Sequence, residues 1–175
     1  MKIQKMLRIH EGVRSHVYTC SAGYETIGVG RNISETGLGL SEDEITYLLE
    51  NDISRVRAEL SSAFTWFDDL DGVRTDAMMD IAFNIGLSRL MTFKKALTAM
   101  KQQDYDKAAS EFLDSRWSEQ VGARSKRVAG MIKTGEYPDE FKYSTKSSIG
   151  RFTCGDVKRD NRSRFNKRIN RRRIY

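Results

Sequence analysis

The stretch Ser41-Glu-Asp-Glu44, followed by Ile45, Leu48, Leu49, Ile53, Val56 and Leu60, constrains the fold more than any other part of the 175-residue chain. The serine can cap the first helical amides while Glu44 reaches back to the serine's own N–H, and three acids in the first turn suit the positive end of a helix dipole. The apolar residues then recur three and four apart, which predicts one amphipathic helix about five turns long. A helix of that length can join two lobes of a small protein.

What lies on either side differs in character. Upstream, Ile3, Met6, Leu7 and His10 fall at helical spacing, with Gly12 placed to stop that helix as a left-handed cap and Glu11 in its last turn. From Val17 to Ile33 the pattern changes to alternation with glycines, which predicts a hairpin turning at Ser21-Ala22-Gly23. On its second strand Tyr24, Thr26, Gly28 and Gly30 share one face, and the two glycines leave open floor for a ligand ring. Downstream, helices are predicted at 71–85 (Val73, Ala77, Met78, Ile81, Ile85) ended by Gly86, at 92–101, at 104–114, and at 122–134 ended by Gly135. The expected class is therefore α+β, mainly α. A small sheet sits in an N-terminal lobe, a long helix links it onward, and a helical lobe follows.

The net charge of +6 hides a division. Residues 1–141 carry 18 Lys and Arg against 22 Asp and Glu, whereas 142–175 carry 12 against 2. The break follows the single proline, Pro138, and precedes the polar stretch Tyr143–Gly150, so a body over 1–141 and a basic extension over 142–175 are expected. No run approaches the roughly 20 apolar residues of a membrane span, and MKIQKMLRIHEG lacks the unbroken apolar core of a secretory signal. Accumulation in the cytosol of the cell that makes it follows. Cys20 and Cys154 lie far apart without metal-like spacing and are expected as free thiols.

Chemistry concentrates between Glu11 and Thr26. A carboxyl group at the negative end of a helix breaks a local preference, and such breaks occur at functional sites, although an isolated Glu is ordinarily a solvated surface residue. Cys20 is open to three readings: nucleophile, water-activating thiolate, or small turn residue, with His10 and His16 close by in sequence. Thr26 alone is simply a good strand former.

In context these residues say more. MLRIHEGVRSHVYTCSAGYETIGVGRNI resembles the catalytic segment of the phage-type lysozymes, the endolysins, along its length: a helix ending Glu-Gly, a Tyr, a turn, then Gly-Tyr-x-Thr-Ile-Gly-x-Gly. The likeness continues through the Ser41 helix, through Ile81-Ala-Phe-Asn-Ile-Gly86, and through Ser115-Arg-Trp-Ser-Glu-Gln120 with Arg124-Ser-Lys-Arg-Val128. It covers about residues 3–141 and leaves out the basic extension.

The resemblance implies a two-lobed lysozyme-like fold and hydrolysis of the β-1,4 bond between N-acetylmuramic acid and N-acetylglucosamine in peptidoglycan, with inversion and without metal or cofactor. It makes Glu11 the general acid, Cys20 the occupant of a position where the T-even phage member has aspartate, and Thr26 a holder of the attacking water. Arg124 matches a family arginine that pairs with the acid, and Phe83, Asn84 and Trp117 match positions lining the cleft, with Gly30 on the substrate floor. The segment Arg31–Leu40 is shorter than in the T-even member, so a reduced small lobe is expected.

Peptidoglycan is thus the expected partner of a monomer released to the wall through a membrane lesion made by a separate holin. A virion-borne lysozyme for genome entry and a noncatalytic peptidoglycan-binding module are the alternatives. Arg164, Lys167, Arg168, Arg171, Arg172 and Arg173 in the extension are expected to meet a polyanion. The candidates are an anionic wall polymer, lipopolysaccharide or, less in keeping with the acidic body, nucleic acid.

Overall fold

A computed structural model describes residues 1–142. Met1–Pro138 forms one compact unit. Helix α1 (Lys2–His10) stops at Glu11, and Gly12 follows it with φ +75°, as the sequence predicts for a left-handed cap. Three strands come next, β1 (Arg14–Thr19), β2 (Glu25–Gly28) and β3 (Arg31–Asn32), antiparallel in the order β1-β2-β3. Thr26 sits in the middle, opposite Tyr18 on one side and Asn32 on the other.

The sheet departs from the expected simple hairpin. Gly28 and Gly30 take φ of +68° and +78°, conformations that L side chains resist, and they turn the chain at Val29-Gly30. Gly30 therefore lies in the turn between β2 and β3 instead of continuing one face of a second strand.

Helix α2 (Glu42–Ala63) begins at Ser41 as its capping box dictates: Ser41 Oγ accepts from the Glu44 N–H at 3.3 Å, and a Glu44 carboxylate oxygen accepts from the Ser41 N–H at 2.9 Å. Its two ends live in different surroundings. Ile45, Leu48, Leu49 and Ile53 are each more than two-fifths exposed, whereas Val56 and Leu60 are buried. The apolar core starts there. It is built from α2, α3 (Gly72–Ile85), α5 (Lys94–Lys101), α6 (Tyr105–Leu113) and α8 (Ala123–Thr134), with Phe67 of a 3₁₀ turn (Phe67–Asp69) among its largest members. Two short helices, α4 (Leu87–Leu90) and α7 (Arg116–Val121), add Leu90 and Trp117. A last turn, α9 (Asp139–Lys142), belongs to the following unit.

One polar hub fastens the helical part. The Arg74 guanidinium bonds the carbonyls of Ile132 at 2.8 Å and Lys133 at 3.1 Å, pairs with its own helix cap Asp71, and stacks over the Tyr105 ring at 3.8 Å. Helices α3, α6 and α8 meet at this one side chain. Among the described residues no helix is long and apolar enough to cross a membrane. The outcome is mainly helical with a small antiparallel sheet near the N-terminus, the α+β class the sequence implies.

Candidate active site

Glu11 occupies the position just past α1, with φ −89° and ψ −18°, and its backbone N–H still donates to the Leu7 carbonyl at 2.8 Å. Its carboxylate is exposed and lies over the Val29-Gly30 turn. A Cβ built on Gly30 would stand 3.5 Å from Glu11 Oε2, in ordinary contact, so the glycine leaves that side of the acid uncovered.

Cys20, in the turn after β1, comes close to Thr26 on β2. Cys20 opens the turn into β2: its N–H donates to the Tyr24 carbonyl at 3.0 Å and its carbonyl accepts from the Gly23 N–H at 2.9 Å. The thiol is free and half-buried. The backbone N–H of Tyr24, and after it that of Ala22, stabilise the thiolate and hold Cys20 below the usual thiol range; partial burial opposes them, and the Gly23 N–H adds a smaller contribution in their favour. A residue that is mostly protonated when free in water thus acquires more of the anionic character that a carboxylate would bring.

Thr26 is buried, and its hydroxyl donates to the Tyr24 carbonyl at 3.0 Å. With that proton committed, the oxygen is left as an acceptor. The sequence motif thus resolves into two groups around one sheet, Glu11 at the end of α1 over Gly30 in the β2–β3 turn, and Cys20 in the β1–β2 turn with Thr26 on β2.

The residues expected along the cleft divide differently. Phe83 is about half-exposed and, with Leu49, Ile53, Met79, Asp80 and Arg124, lines a groove of about 470 Å³. Trp117 does not line it. Its ring is 1 % exposed, packed edge-on against Phe112 at 6.5 Å, and its indole N–H donates to Asn84 Oδ1 at 2.9 Å. A large apolar ring with its single donor satisfied belongs in a core. The consequence falls on Asn84, which is exposed and has its side chain fixed by the indole through Oδ1.

Arg124 also differs from expectation. It is gripped by Asp80, with Nε to Oδ2 at 2.9 Å and Nη2 to Oδ1 at 2.8 Å, and a further bond runs to the Asp80 carbonyl at 3.3 Å. The fork of the guanidinium fits one carboxylate in two places. The ion pair expected between Arg124 and Glu11 is not formed, and among the described residues the Glu11 carboxylate has no ion partner. The basic residues from Arg164 to Arg173, and Cys154, lie outside the described residues.

A helix ending in an acid over a glycine turn, a thiol and hydroxyl on a three-stranded sheet, and a long helix leading into a helical core define a lysozyme-type architecture. The chain matches the family model described as phage lysozyme over residues 8–135, and it belongs to that family. It is similar to a probable T4-type lysozyme 1 of Dictyostelium discoideum, 28% identical over 160 residues, 76% of this chain and 94% of that one. It is also 30% identical over 162 residues to the pre-baseplate central spike protein Gp5 of Enterobacteria phage T4, covering 77% of this chain and 28% of that protein. An endolysin of Acyrthosiphon pisum secondary endosymbiont phage 1 is 28% identical over 130 residues, 73% of this chain and 86% of that one. The protein is a lysozyme-type glycoside hydrolase whose substrate is peptidoglycan.

Proposed function

We propose that this lysozyme cleaves the β-1,4 bond between N-acetylmuramic acid and N-acetylglucosamine by inversion, with Glu11 as the general acid. The observation that carries this reading is the Glu11 carboxylate, exposed over Gly30 in the β2–β3 turn and free of any ion partner among the described residues, beside the sheet that carries Thr26 and is flanked by Cys20. Glu11 protonates the glycosidic oxygen as the bond from C1 to that oxygen breaks. On the opposite face a water donates one hydrogen to Thr26 Oγ1 and the other to the Cys20 thiolate, presenting its lone pair to C1. The water's second proton passes to the thiolate and on to solvent, and Glu11 regains its own from bulk water.

Hydrolysis of purified walls followed by mass spectrometry of the released muropeptides tests the bond, and NMR of the first product formed tests the stereochemistry. Muramic acid reducing ends carrying the α-anomer are expected. Glucosamine reducing ends, or a β-anomer formed first, would contradict it.

The setting we infer is lysis of a bacterial host after a holin opens the inner membrane, with the basic segment 142–175 adhering to an anionic cell-surface polymer. The likeness to the phage T4 central spike protein favours a second setting, a lysozyme carried in the virion. Proteomic examination of purified particles separates the two: the chain is absent from virions under the first and present in fixed copy number under the second.

A further inference from the structure

Ahead of Val56 only one side chain is buried among the described residues, and it is the polar Thr26. The sheet is therefore not seated on α2 by an apolar core. Its attachments are backbone pairing and a small set of polar bonds, and these meet at Arg31.

Arg31 is the first residue of β3 and follows Gly30 directly. Its Nη1 donates to the Gly39 carbonyl at 2.9 Å and to Glu44 Oε2 at 2.5 Å. The same Glu44 oxygen accepts from the Ser41 N–H, so the guanidinium is joined to the capping box that starts α2. Between the two ends the loop closes on itself: Asn32 Oδ1 accepts from the Ser34 N–H at 2.9 Å, the Gly39 N–H donates to the Asn32 carbonyl at 3.3 Å, and a Cβ at Gly37 would fall 2.4 Å from Asn32 Oδ1. Strand β3, the loop after it and the N-terminus of α2 thus form one polar knot. The residue that ties it is one peptide away from the glycine that supports Glu11.

We propose that Arg31 is a positioning residue for the reaction: by binding Gly39 and Glu44 it fixes β3 on α2 and so holds Gly30 against the Glu11 carboxylate. The inference rests on Glu11 acting as the acid. It makes a specific demand, because Arg31 and Glu44 are both about two-fifths exposed and an exposed pair contributes little to folding stability. Misplacement of a catalytic group by a fraction of an ångström, by contrast, is costly to turnover. The tie should therefore matter to catalysis far more than to stability.

The test compares native protein with Arg31→Ala, Arg31→Lys, Glu44→Gln, the Arg31→Ala/Glu44→Gln double variant and Glu11→Gln, in kcat and KM on a soluble peptidoglycan fragment and in thermal midpoint. Arg31→Ala should lower kcat roughly 10- to 100-fold while KM stays within about twofold and the midpoint is nearly unchanged. Lysine, which keeps the charge and can reach one acceptor, should recover part of the loss. Glutamine at position 44 still serves a capping box, so Glu44→Gln isolates the ion pair and should reproduce the defect, with the double variant no worse than Arg31→Ala because both remove one interaction. Unchanged kcat in Arg31→Ala while Glu11→Gln is inactive would overturn the positioning role and leave the catalytic reading intact. So would a kcat loss that merely follows a fall in midpoint. Full activity of Glu11→Gln would overturn both.

Discussion

The Glu11 carboxylate rests against Gly30, with a Cβ at position 30 falling 3.5 Å from Oε2. That distance is an ordinary van der Waals contact, so substitution would not collide with the acid; it would cover one side of it and strain a backbone at φ +78°. Gly30→Ala is expected to cost about 1 kcal/mol in stability and to reduce wall-lysis rate by about tenfold or more. The check is a lysis assay run alongside thermal unfolding. Activity that stays at the native level would show that the bare floor is not needed.

The turn amides around Cys20 make a second expectation. Because the folded thiol is held below its ordinary range, the native protein should react with iodoacetamide at lower pH than the same cysteine in the urea-unfolded chain. Cys20→Asp should retain lysis, Cys20→Ser should be weakened, and Cys20→Ala should fall about 10- to 100-fold. A fully active alanine variant would remove any chemical role for this residue.

Stability is expected to depend on the Arg74 hub. A Cβ at Gly135 would stand 2.5 Å from Arg74 Nη1, at a position whose φ is +69°. Gly135→Ala should therefore cost about 1–3 kcal/mol by combining left-handed strain with displacement of the guanidinium from Ile132 and Lys133. A thermal midpoint several degrees below native, with specific activity kept at low temperature, is the expected result.

Asp71 gives that hub a pH dependence. Burial pushes its carboxyl up, but the Arg74 side chain and the N–H groups of Arg74 and Val73 outweigh it, and the net shift is downward. A carboxyl with a lowered folded pKa contributes stability that is complete above its unfolded value of about 3.9 and is lost as pH falls through the folded one. The stability difference between native protein and Asp71→Asn should be largest above about pH 4 and shrink on further acidification, as read by denaturant unfolding at a series of pH values. A difference that grows toward acid would reverse the sign.

Local features of the fold were legible in the sequence because their causes are local. Ser41 and Glu44 mark the start of α2, and Gly12, Gly86 and Gly135 follow the ends of helices with positive φ, each within a few residues of the pattern that predicts it. Helices α4 and α7, of 4 and 6 residues, are too short for a periodic stripe to reveal. The bend at Val29-Gly30 escaped for a related reason, since alternation reports which face a residue takes and not where the chain turns.

The site divides along the same line. Glu11, Cys20 and Thr26 lie close together in sequence, whereas Asp80 and Arg124 are 44 residues apart and Asn84 and Trp117 are 33 apart. Nothing in the neighbourhood of Arg124 announces Asp80 as its partner. An aspartate within the apolar run of α3 was the one signal available.

The central claim is that Glu11 delivers the proton to the leaving sugar oxygen. Glu11→Gln keeps the shape of the side chain and its place over Gly30 while removing the transferable proton. Initial hydrolysis rates of Glu11→Gln and native protein on purified peptidoglycan, with muropeptide release followed by mass spectrometry, test it most directly. The expected result is loss of at least about a hundredfold with the thermal midpoint retained. Muropeptide release at the native rate would contradict the assignment.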